Sequence, residues 1–167
     1  EEAIELFREP IEAGVAAGAD CIVIETMCDL MEALCAVTAA KQYGGGLPVI
    51  CTLSYDPNGR LMTGVTLEKV VSALEDAGVS ALGCNCGVGP AQLVDLLPRF
   101  TACAHIPLVM QPNAGLPEFR DGQTVYLVGP EEYSSLMKSL SDGGVWGLGG
   151  CCGTTPAHIK SLIEAIR

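Results

Sequence analysis

Residues 83–90 read GCNCGVGP and residues 149–155 read GGCCGTT, so Cys86 lies in one glycine-rich stretch and the adjacent Cys151 and Cys152 lie in another. Glycines let a backbone turn sharply and approach a ligand closely. Cysteine thiolate is a preferred zinc ligand, and catalytic zinc sites commonly offer three protein ligands and one open position. Cys86, Cys151 and Cys152 supply that set. Cys86 and Cys151 are 65 positions apart (151 minus 86), a spacing that suits a site built across a fold. A structural zinc site instead has four ligands at short loop spacings. Three thiolates on a divalent cation leave a net charge of about −1, which makes the ion a poor activator of water. Such a site is better suited to holding a thiol substrate as its nucleophilic thiolate. An adjacent pair also fits two packing residues or a redox-active dithiol. The flanking glycines speak against a core strand, and the dithiol reading stays open.

The elements that must position these residues follow a repeated theme. An amphipathic stretch ends in glycine, a short apolar run follows, and then a turn rich in Gly, Asn, Asp or Thr. Apolar runs at 21–25, 48–54, 81–86, 106–111 and 145–149 predict strands. Helical patterns at 1–17, 30–43, 67–77, 91–104, 130–141 and 156–167 predict helices, several stopping at glycine. Strands alternating with helices imply parallel βαβ units wound by right-handed crossovers. The sheet is then either open and doubly wound or part of a (β/α)8 barrel. No G-x-G-x-x-G opens a helix after the first strand, which weighs against a dinucleotide site. Glu25, Asp29, Asn85, Cys86, Asn113, Cys151 and Cys152 all fall just after strands, the catalytic face of a barrel.

Bulk properties narrow the class. The chain has 167 residues, enough for one domain, yet a complete barrel typically needs about 250. It is 49% hydrophobic but only 5% aromatic, so the core is built from aliphatic residues and cysteine. A parallel sheet buried on both faces suits that composition. The net charge of −11, with nine basic residues, excludes a nucleic-acid footprint. No apolar run is long enough for a membrane span, and EEAIELFREP has no signal-peptide profile, so a cytoplasmic protein is expected. The nine cysteines form no secreted disulfide framework. Cys21, Cys35, Cys51 and Cys103 read as packing residues, and Cys28 and Cys84 as small neighbours of the motifs.

ALGCNCGVGP, QPNAGLPE and GGCCGTTPAHI, with IETMCDLMEA and YDPNGRLMTG before them, resemble the motifs of the homocysteine S-methyltransferase family. The matches keep the family's order from about residue 18 to residue 163. The resemblance implies a TIM-type (β/α)8 barrel, this chain covering its last five strand–helix units as a single homocysteine-binding domain over residues 1–167. Cys86, Cys151 and Cys152 fall on the family's zinc-thiolate positions, where homocysteine is held as thiolate and methylated to methionine. The flavour of the motifs is most similar to the homocysteine domain of cobalamin-dependent methionine synthase. That implies a methylcorrinoid donor on a separate module, recharged from methyltetrahydrofolate. S-methylmethionine and betaine users share the cysteines but differ around them.

By the same resemblance Glu25 matches an ET motif and binds the substrate's amino group; its plain alternative is an acid at a helix N-terminus. Asn85 and Asn113 orient either loops or substrate. Asp29 is expected to cap a helix, Thr154 and Thr155 to start one, and Trp146 to pack in a strand. His105 and His158 are poor ligand candidates. The first three barrel strands, which would carry a glycine-rich segment and an acidic homocysteine-binding residue, have no counterpart here. Five strands alone leave edges and interior exposed. The expectation is that another chain or a second copy completes the barrel, or that the sequence is a piece of a truncated reading frame, and that the chain alone can be a metal-binding partial barrel without turnover.

Overall fold

The computed structural model describes residues 1–167. In chain order the elements are α1 (Glu2–Ala16), β1 (Ile22–Met27), α2 (Leu30–Tyr43), β2 (Val49–Leu53), α3 (Leu67–Asp76), β3 (Ala81–Asn85), α4 (Pro90–Cys103), β4 (Leu108–Gln111), β5 (Glu118–Arg120), β6 (Gln123–Val125), α5 (Pro130–Asp142), β7 (Gly147–Leu148) and α6 (Pro156–Ile166). Five strands form one parallel sheet in the order β1-β2-β3-β4-β7, as the alternating pattern predicts. No helix is long and apolar enough to cross a membrane.

Local chemistry explains the boundaries. The Asp29 side chain accepts the Glu32 N–H and caps α2, as expected of it. Pro90, Pro130 and Pro156 each open a helix, where a missing N–H costs nothing. At the start of α6 the His158 Nδ1 accepts the Thr155 N–H at 3.2 Å and so caps the helix. The core lies between one sheet face and the helices. Cys51, Leu53, Leu82, Cys84 and Met110 from the strands meet Leu67, Val70, Val71 and Leu74 of α3 and Leu93, Leu96 and Phe100 of α4.

The other sheet face carries no helices, and two packing expectations fail for that kind of reason. Trp146 is 69% exposed, because no layer covers the face on which it lines a shallow recess with Val23, Ile50 and Val109. Cys21 is exposed, at a cleft of about 410 Å³ between α1 and the free edge of β1. Cys51 and Cys84 are buried, while Cys28, Cys35 and Cys103 are half-buried.

One element was not expected: the antiparallel hairpin β5–β6. Its two-residue loop is Asp121-Gly122, both at positive φ (50° and 79°), the type I′ geometry that matches strand twist.

Gly83, in the middle of β3, allows the β3 and β4 backbones to approach. A Cβ built there would lie on the carbonyl oxygen of Val109. Gly83→Ala should therefore destabilise the fold by about 3 kcal/mol through backbone displacement, lowering Tm by about 10 °C in a thermal melt. An unchanged Tm would mean that β3 and β4 are not packed this closely.

Candidate metal centre

Backbone hydrogen bonds carry on beyond the strand ends and bring the two cysteine stretches together. The Cys86 N–H donates to Gln111 O at 3.1 Å, and Asn113 N–H donates to Val88 O at 3.0 Å. Cys151 N–H donates to Pro112 O, and Ala114 N–H to Cys152 O, each at 2.9 Å. The Tyr133 hydroxyl, from α5, donates to Gly149 O at 2.7 Å with a longer contact to Pro112 O. The loops after β3, β4 and β7 are thus stitched side by side.

This places three sulfurs together. The Cys86 and Cys152 Sγ atoms are 3.8 Å apart, those of Cys151 and Cys152 are 4.0 Å apart, and all three lie within 4.8 Å of one another. Two sulfurs on one tetrahedral zinc, each at about 2.3 Å, are separated by about 3.8 Å. The donor set and its spacing therefore fit a metal ion. None of the three is in a disulfide. Cys86 reaches its position with φ of 57°, a left-handed conformation that costs a non-glycine residue about 1–3 kcal/mol.

The thiols do not share charge equally. Burial pushes the Cys86 thiol up, but the Gly87 N–H, the Cys151 and Cys152 sulfurs and the Asn113 amide together bring it below the ordinary thiol range. Burial, and then the hydrogen bond and charge of Cys86, push Cys151 up to about 11. One negative sulfur is favoured and the second is opposed.

Asn113 is buried, and its side-chain oxygen accepts the Cys152 N–H at 3.0 Å, so it scaffolds the cysteine loop. Asn85 is 1% exposed. Its Oδ1 accepts from Thr26 N–H and Thr52 Oγ1–H, each at 2.7 Å, while Nδ2 donates to Thr26 Oγ1 at 2.6 Å and faces Cys151 Sγ at 4.0 Å. Of the two uses expected of Asn85, these bonds supply loop orientation. Glu25 is exposed on β1 and makes no hydrogen bond or ion pair within the chain, so the structure does not join it directly to the sulfurs. It sits in a β-bulge, since β1 advances from Ile24 to Met27 while β2 advances from Cys51 to Leu53.

His158 is spent on structure. Its Nδ1 accepts from Thr155, which leaves Nε2–H to donate to Val128 O at 2.9 Å. His105 pairs with Glu75 at 3.1 Å and is not a member of the cluster.

The sequence reading missed Tyr126, Thr26 and Thr52. Tyr126 follows β6, and its ring lies so close over Gly153 that a Cβ there would collide with it. Burial, and then a hydrogen bond to Cys152, raise its phenol above the ordinary range. The Asp-Gly pair of the hairpin was the available signal for it. Thr26 and Thr52 join the site through parallel register, which no local pattern announces.

In metal-free, reduced protein, iodoacetamide should modify Cys86 before Cys151 between about pH 7 and pH 9, because thiolate is the reactive form. Cys51 and Cys84, both pushed up to about 12 by burial, should stay unlabelled. Peptide mass spectrometry of a time course gives the order, and labelling of Cys151 first would contradict this charge distribution.

A family model described as homocysteine S-methyltransferase matches residues 1–166. Methionine synthase of Mycobacterium tuberculosis is 33% identical over 154 residues, which is 89% of this chain and 13% of that protein. The apo form of the homocysteine methyltransferase MmuM from Escherichia coli superposes with a TM-score of 0.78 at 26% identity, covering 98% of this chain and 56% of that one. Its metallated form superposes at 0.77 with 26% identity, covering 96% of this chain and 51% of that one. This chain thus spans only a small part of the methionine synthase it matches and about half of the solved methyltransferase. With a match from residue 1 to residue 166, the chain belongs to the homocysteine S-methyltransferase family.

Proposed function

We propose that this chain is the metal-carrying part of an enzyme that transfers a methyl group to the sulfur of homocysteine, giving methionine. The observation that carries this reading is the convergence of the Cys86, Cys151 and Cys152 sulfurs within 4.8 Å at the ends of parallel strands. Family membership supports the substrate, and the chemistry of three thiolates supports zinc. Zinc, when bound, supplies the positive charge that keeps a substrate thiol deprotonated at neutral pH.

The chain's own residues do the rest. Cys86, Cys151 and Cys152 hold the ion. Asn113 fixes the loop of Cys152 and favours the Cys86 thiolate. Glu25 has an exposed carboxylate with no partner in the chain, suited to the ammonium of an amino-acid substrate. Asn85 orients the loops rather than offering free hydrogen-bonding capacity. The substrate sulfur gives up its proton, forms the new bond to the methyl carbon and releases the donor's leaving group. The likeness to methionine synthase favours a methylcorrinoid donor held on another module and recharged from methyltetrahydrofolate.

The five-stranded sheet is, in this reading, the last five strand–helix units of a (β/α)8 barrel. Supporting this, β1 and β7 each lie at an edge with one side unpaired, and Val23 and Trp146 are exposed on the helix-free face. The homologous solved methyltransferase is about twice as long.

Two measurements test the function. Reduced protein should take up one equivalent of zinc, and Cys86→Ser should weaken it by more than about 100-fold in competition with a chromophoric chelator, since even outer-shell losses cost about 10–100-fold. Uptake without loss in the variant would sink the metal assignment. Glu25→Gln should weaken homocysteine binding to the zinc-loaded chain by about 10–100-fold, the size of a hydrogen bond between charged groups, with zinc uptake unchanged. Calorimetry reads both constants. Methionine formation from methylcobalamin, with the rest of the barrel present, reads the reaction itself.

A further inference from the structure

We infer that Asn85 is the positioning residue that ties the Glu25 bulge of β1 to the cysteine cluster, so that one buried side chain sets both halves of the site. The inference rests on the reading of Glu25 as the substrate's ammonium partner. Three observations carry it. First, a carboxamide offers two acceptor lone pairs and two N–H donors, and Asn85 directs all of them. Both lone pairs face Thr26 and Thr52, and its two N–H groups face Thr26 Oγ1 and Cys151 Sγ. Its orientation is forced, because a flipped amide would set N–H against the Thr26 N–H.

Second, Thr26 has φ of 63°. A β-branched residue in that region is a genuine outlier that persists only where its surroundings over-determine it. Two of the bonds that hold it come from this one amide, at 2.7 and 2.6 Å. Thr26 follows Glu25 directly within the bulge, so its left-handed turn decides where the Glu25 carboxylate is presented. Third, Asn85 is the last residue of β3, and its neighbour Cys86 has φ of 57°. The Ser54 hydroxyl donates to the Asn85 carbonyl at 2.9 Å, which fixes the backbone at that step. Asn85 therefore touches the cluster through the chain at Cys86 and through space at Cys151.

The test uses the full chain in its metal-free, reduced state and then with zinc. Hydrogen exchange at the Thr26 amide and alkylation at Cys151 are followed in wild type and in Asn85→Ala. Thr26 exchange should rise roughly tenfold or more, as expected for loss of a buried hydrogen bond. Cys151 alkylation should slow severalfold, because the N–H that faces its sulfur and favours the reactive thiolate is gone. Homocysteine affinity of the zinc-loaded protein should fall by about tenfold. Adding Thr26→Gly to that variant should restore homocysteine affinity, because glycine takes the left-handed conformation freely, while Cys151 stays slow. Thr26→Ala, at an exposed position, keeps the fold should Asn85→Ala lose it. It removes one partner of the same amide and should move the Cys151 rate by about threefold.

A purely structural Asn85 would lower Tm and leave both local rates of the folded protein unchanged, and that result would overturn the inference. So would a glycine variant that restores nothing, or a Cys151 rate indifferent to Thr26→Ala. Should wild type bind zinc but not homocysteine even with the rest of the barrel present, the proposed function fails, and the exchange and alkylation rates still decide the coupling.

Discussion

Everything in the site depends on parallel strands ending level with one another, and on the hydrogen-bond ladder continuing past them into the loops. In a parallel sheet the loops that follow the strands all emerge at the same, carboxyl edge. Here the pairing of Asn85 with Gln111 ends the β3–β4 ladder one residue before Cys86. The bonds Cys86 to Gln111, Asn113 to Val88, Cys151 to Pro112 and Ala114 to Cys152 then extend it through three loops. A shift of one residue in any of these pairings would turn a sulfur away from the other two. The cluster is a consequence of register, and register is held by the core packed between the sheet and its helices.

Close approach of those loops requires small residues at particular places. Gly87, at φ of 67°, sits where a Cβ would crowd the Tyr55 carbonyl, and Gly153, at φ of 78°, lies beneath the Tyr126 ring. Larger residues at either place would separate the elements that carry the sulfurs from their neighbours. The glycines that make the motifs recognisable are the same ones that let the backbones meet.

That connection explains what was legible in the sequence. Glycine flanks, thiol chemistry and the alternation of helices and strands are local, and from them the parallel sheet and the grouping of Cys86, Cys151 and Cys152 could be read. Asp29 and Thr155 as helix starts were legible for the same reason. What stayed hidden depends on partners distant in sequence. Thr52 and Thr26 meet Asn85 from 33 and 59 residues away, and nothing near any of the three announces it. Trp146 read as strand packing because apolar runs do not reveal whether a second layer covers them. The β5–β6 hairpin was missed although Asp121-Gly122 marks it, because its strands are only three residues each.

The electrostatics of the cluster show why such a geometry belongs to a cation. Three thiols within 4.8 Å compete for charge: once Cys86 ionises, it opposes ionisation of Cys151, whose thiol is pushed up to about 11. Left to themselves near neutral pH, Cys86 and Cys151 do not both carry a charge. A divalent cation removes that repulsion, and all three can then be thiolates, with protons released as the ion binds. Metal affinity should accordingly strengthen as pH rises, because the raised Cys151 thiol makes its proton harder to displace at low pH. The backbone already holds the sulfurs near tetrahedral spacing at the cost of a left-handed cysteine. The loops therefore need little rearrangement to receive the ion, and its binding energy is free to offset the deprotonation.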